Sequence, residues 1–294
     1  MSARILDGKA ISKEMREELA GETAALRDRG VVPGLGVLLV GDDPASRSYV
    51  TAKERACEKT GLYSEEVKLE SDATRTEIID VVQHFNDNPK IHGILVQLPL
   101  PDSSIETEVI ETILPEKDVD GFHPVNIGRM LLNQPAYIPC TPHGILHILK
   151  RAGVETEGAH AVIVGRSNLV GRPLSNLLSM KSDTGNATVT LCHTRTRGLP
   201  ELTRQADILV AAAGRPGTIT AEMVKDGAVV IDVGVNRVED ASRERGYRLV
   251  GDVDFDKVKE KAAAITPVPG GVGPMTITML LYNTIEAARR SLSE

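Results

Sequence analysis

GLGVLLVG at residues 34–41 runs straight into DPASRSYVTAKERACEKTG at 43–61, and the nature of that join sets how the rest of the chain reads. The first piece is a short apolar run closed by glycine and aspartates, the pattern of a strand buried on both faces. In the second, Asp43 is placed to cap a helix whose first residue is Pro44, and Gly61 offers a left-handed stop. Lys53 is the odd residue of that helix. Its neighbours three and four positions away are Tyr49, Val50, Ala56 and Cys57, so the lysine lies in the least polar stripe. Arg47, Glu54, Arg55, Glu58 and Lys59 take the wet face. Removal from water favours the neutral amine and suits it to accept and return a proton near neutrality. The same spacing also admits a lysine that snorkels to water past an apolar face.

On the amino-terminal side, Ile11, Met15, Leu19 and Leu26 recur at helical spacing, predicting an opening amphipathic helix. Beyond Gly61 come a weaker strand near 67–69 and a helix carrying Ile78, Val82 and Phe85. The run IHGILVQLP then predicts a strand over 91–98, ended by Pro99, with Gln97 at its carboxyl end. Strands alternating with helices over short joints imply a parallel sheet, and ligands of such sheets bind beyond the carboxyl ends of the strands. Lys53 and Gln97 are therefore expected neighbours, although a glutamine there also serves as a loop cap. After a helix near 105–114, PEKDVDGFHPVNIGRMLLNQPAYIPCTP reads as an irregular interdomain region. Asp118 and Asp120 precede Gly121, a grouping that fits either a turn or a working carboxylate. Thr141 and Pro142 open a further helix.

The second half opens with AVIVGRSNLVGRPLSNLL at 161–178, a strand, a glycine turn and a helix. It is similar to a dinucleotide-binding turn but places Ser167 where the middle glycine of Gly-x-Gly-x-x-Gly stands. Further strands near 187–192, 207–213 and 228–233 make it the start of a doubly wound unit. An NAD-specific unit carries an acid at the end of the second strand; here the residues are Cys192, His193, Thr194, Arg195, Thr196 and Arg197. With Arg166 in the first turn, positive charge and hydroxyls await a 2′-phosphate, which favours NADP. The turns AAGRPG at 212–217 and DVGVN at 232–236 follow strands and are expected to line the cofactor crevice, where small residues let backbone approach a ring. Residues 237–248 read as an exposed polar excursion. ITPVPGGVGPMT leads into an apolar terminal helix, which needs a partner to cover it and is expected to return to the first domain.

Composition bounds the rest. The 294 residues suffice for two domains and are 41% hydrophobic, with no Trp, three Phe and five Tyr, so the cores must be aliphatic. A net charge of −7 with signs interspersed argues against nucleic acid or an anionic membrane as partner. Cys57, Cys140 and Cys192 match neither a disulfide framework nor a metal spacing. No signal peptide or apolar run of ~18 residues is evident, and a cytoplasmic protein without metal is expected.

Taken in order, GDDPASRSYVTAKERAC, GILVQLPLP, PEKDVDGFHPVNIGRM, PCTPHGI, VGRSNLVGRP, VIDVGVN and ITPVPGGVGPMT resemble the bifunctional methylenetetrahydrofolate dehydrogenase/methenyltetrahydrofolate cyclohydrolase family over nearly the whole chain. The resemblance implies two α/β domains. Residues 1–139 with 275–294 would form a parallel-sheet folate-binding domain, and 140–274 a Rossmann-type doubly wound NADP domain, with the carboxyl-terminal helix returning to the first. It implies NADP-dependent oxidation of 5,10-methylenetetrahydrofolate and hydrolysis of the methenyl product to 10-formyltetrahydrofolate. Lys53 would be the general acid/base, Tyr49 would position it and the folate, Gln97 would tune it and Asp120 would hold the pterin. Val96, Gln97 and Leu98, with Pro269, Gly270, Gly271, Val272 and Gly273, would line the folate site. Gly165, Arg166, Ser167, Thr194, Arg195 and Val235 would hold NADP. The family often has Ser-Lys where this chain has Thr194 and Arg195, a change that keeps hydroxyl and charge. A homodimer acting on tetrahydrofolate one-carbon derivatives is implied. The rival readings are a single-activity NADP dehydrogenase of another small substrate and an NADP-sensing module without turnover.

Overall fold

The chain was analysed as a computed structural model that describes residues 2–42, 44–243 and 246–292, with the backbone alone for 44–49. It divides into two α/β units: residues 13–140 with 277–294, and residues 1–12 with 141–276.

The first unit is built on three parallel strands in the order β3-β2-β4: β2 (Gly34–Val40), β3 (Tyr63–Leu69) and β4 (Gly93–Val96). β2 is central and buried at every position, which is why its sequence does not alternate; β3 lies at the edge and keeps Glu66 and Lys68 exposed. Helices α2 (Pro44–Thr60) and α3 (Arg75–Asp87) make the crossovers. Thr74 and Glu77 form a reciprocal capping box at the start of α3, and Ile78, Val82 and Phe85 pack with Leu38, Ile94 and Val96. Each such fully buried side chain contributes roughly 1.5–3 kcal/mol. Helix α4 (Glu106–Thr112) follows. α5 (Pro124–Leu131) forms inside the stretch read as irregular, because Pro124 starts it and the His123 ring accepts the Val125 N–H.

Two long helices begin and end the chain: α1 (Gly8–Asp28) and α10 (Val272–Arg290). Residues 277–290 of α10 belong to the first unit, as expected of a helix with so apolar a face. Arg289 meets Glu22 of α1 at 2.6 Å, and Arg16 Nε donates to Thr278 Oγ1 at 2.9 Å.

The second unit holds a six-stranded, wholly parallel sheet in the order β1-β11-β8-β7-β5-β6. Its strands are β1 (Arg4–Ile5), β5 (His160–Val164), β6 (Thr188–Cys192), β7 (Ile208–Ala211), β8 (Val229–Asp232) and β11 (Ala264–Ile265). The chain passes from β5 to β6 on one side and then winds the other way, so a switch point opens beside β5. Helices α6 (Cys140–Arg151), α7 (Gly171–Ser179), α8 (Leu199–Thr203) and α9 (Phe255–Val258) complete it. One expectation is corrected, and another is given its form. Residues 1–12 do not group with the first domain: β1 pairs with β11, and two-residue strands carry no periodicity to read. The polar excursion is an antiparallel hairpin of β9 (Asn236–Glu239) and β10 (Tyr247–Val250), with Arg237 stacked 3.8 Å over the Tyr247 ring.

Candidate active site

Lys53 is held inside the first unit, 6% exposed, on the stripe of α2 that also buries Val50, Ala56 and Cys57. Glu54, Arg55, Glu58 and Lys59 face solvent as their spacing predicts. Asp43, and the side chains of Arg47 and Tyr49, lie outside the described residues. Lys53 Nζ donates to Gln97 Oε1 at 3.0 Å. Gln97 emerges from β4 with its own N–H on the Leu38 carbonyl at 2.9 Å, and its Nε2 donates to Leu98 O at 2.8 Å. The amide nitrogen is thereby committed to the backbone, and the amide oxygen is left for the amine. The Leu98–Pro99 bond is cis.

Desolvation by burial lowers the Lys53 pKa, opposed first by the charge of Asp120. Cys140 and Cys57 also lie near enough to favour the ammonium if ionised. Burial, however, pushes the Cys57 thiol up to about 11 and the Cys140 thiol well above its ordinary value. Both thiols are therefore neutral near pH 7, and Asp120 is the group whose charge most favours the ammonium of Lys53. Asp120 is half-buried; burial raises its pKa, while Lys53 and a hydrogen bond with the Cys140 thiol pull it back. The amine thus donates to a neutral amide oxygen, feels the charge of Asp120 and has its pKa lowered by burial, the surroundings of a candidate proton-transfer group.

The two aspartates that looked alike in sequence separate cleanly. Asp118 is buried and accepts from the N–H groups of Gly121, Phe122 and His123 and from Asn126 Nδ2, so it closes the turn that starts α5. Burial pushes it up to about 6 against those donors. Asp120, two residues on, is released toward Lys53. One contributor escaped the sequence reading: Asn283 of α10, 2% exposed, donates to Val119 O at 2.8 Å and Ile138 O at 3.1 Å and lies 3.8 Å from Cys140 Sγ. It fastens both segments that flank Asp120 and Cys140. A lone amide in an apolar helix face was its only signal. Val96, expected at the substrate, is buried in the aliphatic core with Leu98 packed against it, so its side chain is occupied there.

In the second unit, the turn after β5 brings backbone to backbone. Gly165 has φ +132, and a Cβ there would lie 2.0 Å from Ala212 O; a Cβ on Gly171 would lie 1.9 Å from Gly165 O. Ser167 Oγ accepts the Val170 N–H at 3.1 Å at the start of α7, and Arg166 is exposed beside it. At the end of β6, the His193 N–H bonds Thr196 Oγ1 at 2.8 Å, which leaves Thr194 and Arg195 exposed. Val235, between β8 and β9, is 58% exposed. The close glycine turn, the absence of an acid after β6 and the exposed Thr194 and Arg195 fit a dinucleotide bearing a 2′-phosphate. The 269–273 loop also belongs to this unit: Val268–Pro269 is cis, Gly270 O accepts the Lys9 N–H at 2.9 Å, and Val272 is buried as α10 begins. Among the described residues no group of three or more His, Cys, Asp or Glu is placed to hold a metal ion, and no helix is long and apolar enough to cross a membrane.

Residues 6–120 match the family model of the tetrahydrofolate dehydrogenase/cyclohydrolase catalytic domain, and residues 139–292 that of its NAD(P)-binding domain. Among curated proteins, the bifunctional protein FolD of Dehalococcoides mccartyi (strain CBDB1) is 55% identical over 294 residues, 99% of each chain. FolD of Bacillus subtilis (strain 168) is 53% identical over 293 residues, covering 100% of both. Among solved structures, the Trypanosoma brucei methylenetetrahydrofolate dehydrogenase-cyclohydrolase, complexed with NADP cofactor and inhibitor, superposes with a TM-score of 0.95 at 39% identity over 100% of each chain. The Campylobacter jejuni bifunctional enzyme superposes with a TM-score of 0.92 at 45% identity, over 99% of this chain and 100% of that one.

Proposed function

The chain belongs to the tetrahydrofolate dehydrogenase/cyclohydrolase family, a bifunctional enzyme family, and from that membership we propose that it oxidises 5,10-methylenetetrahydrofolate with NADP and hydrolyses the methenyl product with Lys53 as general acid/base. The observation that carries the proposal is the buried amine of Lys53, bonded to Gln97 and facing Asp120. When bound, NADP supplies a hydride acceptor. Gly165, Arg166, Ser167, Thr194, Arg195 and Val235 hold it, the two arginines answering the 2′-phosphate. Tyr49, Gln97, Leu98 and Asp120 hold the folate, with Val96 contributing backbone. In the oxidation the protein's work is alignment, since the folate nitrogen itself expels the hydride.

Hydrolysis asks more of the side chains. As a water oxygen bonds to the methenyl carbon, neutral Lys53 Nζ takes one of its protons. The resulting ammonium, now favoured by Asp120, returns that proton to the ring nitrogen whose bond to the carbon breaks. The remaining hydroxyl proton leaves to solvent as the formyl C=O forms. Gln97 Oε1 keeps Nζ aimed in both charge states because it only accepts. General acid/base catalysis of this kind is worth roughly 10²–10⁴-fold. Lys53→Met should reduce decay of the methenyl absorbance by about that factor while the protein still binds NADP; hydrolysis at the wild-type rate would overturn the role. The enzyme acts as a homodimer, as the family resemblance implies, in the cytoplasm, which suits its three buried free cysteines, and without a nucleic-acid partner, which the net charge of −7 disfavours.

A further inference from the structure

Asp252 belongs to a stretch, GDVDF, to which the sequence reading attached no chemistry, yet it is 0% exposed. Its Oδ2 accepts the N–H groups of Ala213 at 2.6 Å and Gly214 at 2.8 Å, and its Oδ1 accepts Asn236 Nδ2 at 2.9 Å. One carboxylate therefore ties the turn after β7 to the turn after β8. A second, Asp232, 2% exposed, supports it from below: Oδ1 accepts the N–H groups of Asp252 at 2.9 Å and Gly234 at 3.0 Å, and Oδ2 that of Val253 at 3.0 Å. The fit leaves no room for side chains. A Cβ on Gly234 would lie 2.2 Å from Asp252 Oδ1, and one on Gly251 would lie 1.8 Å from Asp232 Oδ2.

Both tied turns leave the sheet at the carboxyl ends of parallel strands, the edge at which Gly165 and Thr194 also emerge. The continuity is physical. Ala212, next to the Ala213 N–H that Asp252 holds, is the residue whose carbonyl crowds Gly165. Asn236, held on the other side, follows the outward-facing Val235.

We infer that Asp252 is a positioning residue for the cofactor: it sets the two turns that present Val235 and back the glycine turn, without itself touching NADP. The inference rests on the reading of the second unit as the NADP unit. Its role is geometric, so an isosteric amide should replace it. In Asp252→Asn the carbonyl oxygen stays on Ala213 and Gly214, and Asn236 can turn its own oxygen to the new NH₂. In Asp252→Ala the Ala213 and Gly214 N–H groups lose their acceptor at once, and Asn236 Nδ2 keeps only Val250 O at 3.4 Å.

The test measures NADP affinity by titration calorimetry and, separately, hydrolysis of added methenyltetrahydrofolate, which consumes no dinucleotide. Asp252→Ala should weaken NADP binding at least tenfold with hydrolysis within twofold of wild type, and Asp252→Asn should bind within threefold of wild type. Equal NADP affinity in Asp252→Ala and wild type, or a parallel loss of binding and hydrolysis, would overturn the positioning role. If Asp252→Ala does not fold, Asn236→Ala decides: it removes the bond to Asp252 and a longer one to Val250 O at 3.4 Å, and it should raise the dissociation constant severalfold or the inference fails. Failure of wild type itself to bind NADP would instead remove the functional reading beneath.

Discussion

Lys53 carries two effects that pull against each other, and both can be measured. Burying an amine costs stability, while the resulting shift toward the neutral form makes it a usable base. Lys53→Met should therefore be more stable than wild type by roughly 1 kcal/mol or more, seen as a higher denaturant midpoint. The sign of its pH dependence follows from linkage. Below the folded-state pKa both folded and unfolded chains hold the proton. Between that value and the ordinary 10.5 the unfolded chain holds a proton that the folded chain has released, so this group's contribution to stability rises with pH. The advantage of Lys53→Met should shrink as pH is raised toward the ordinary 10.5; a gap that widens would mean the amine is not depressed. Other roles were less legible. From the residues themselves Asp118 and Asp120 read alike; the resemblance singled out Asp120, and the four donors converging on Asp118 supply the physical distinction. Asn283 was invisible because its partners lie more than a hundred residues away.

Among the elements, the ones with many periodic residues were readable and the short ones were not. α2, α3 and α10 announce themselves by spacing, and β2 by an unbroken apolar run that only a strand covered on both faces needs. β1 and β11 contribute two residues each, and the β9–β10 hairpin is polar on most of its surface, so neither leaves a pattern strong enough to detect. The β5 turn makes its own prediction. Gly165→Ala would press a methyl against Ala212 O at a backbone angle that disfavours side chains. It should abolish measurable NADP binding and lower the melting temperature, while methenyl hydrolysis survives. If both activities fell together, the turn would matter to folding alone.

Across the whole molecule, the residues proposed for proton transfer belong to the first unit and those proposed to hold the dinucleotide to the second. The proposed homodimer is checked by light scattering, which should return twice the 31.6 kDa chain mass at micromolar concentration; a monomer mass that persists at assay concentration would remove it. What the linear order of residues settled was local and additive: where strands alternate with helices, that Lys53 sits on an apolar stripe, and that no acid follows β6 to reject a 2′-phosphate. Those conclusions need only neighbours within a few positions, and short-range spacing records them. Folding in three dimensions supplied the pairings that no spacing encodes. It directed Gln97 by engaging its other amide group, turned Asp120 rather than Asp118 toward the amine, and set Asp252 under two distant turns. Such choices depend on which donors and acceptors burial leaves to be satisfied, and that is known only once the chain has closed around them.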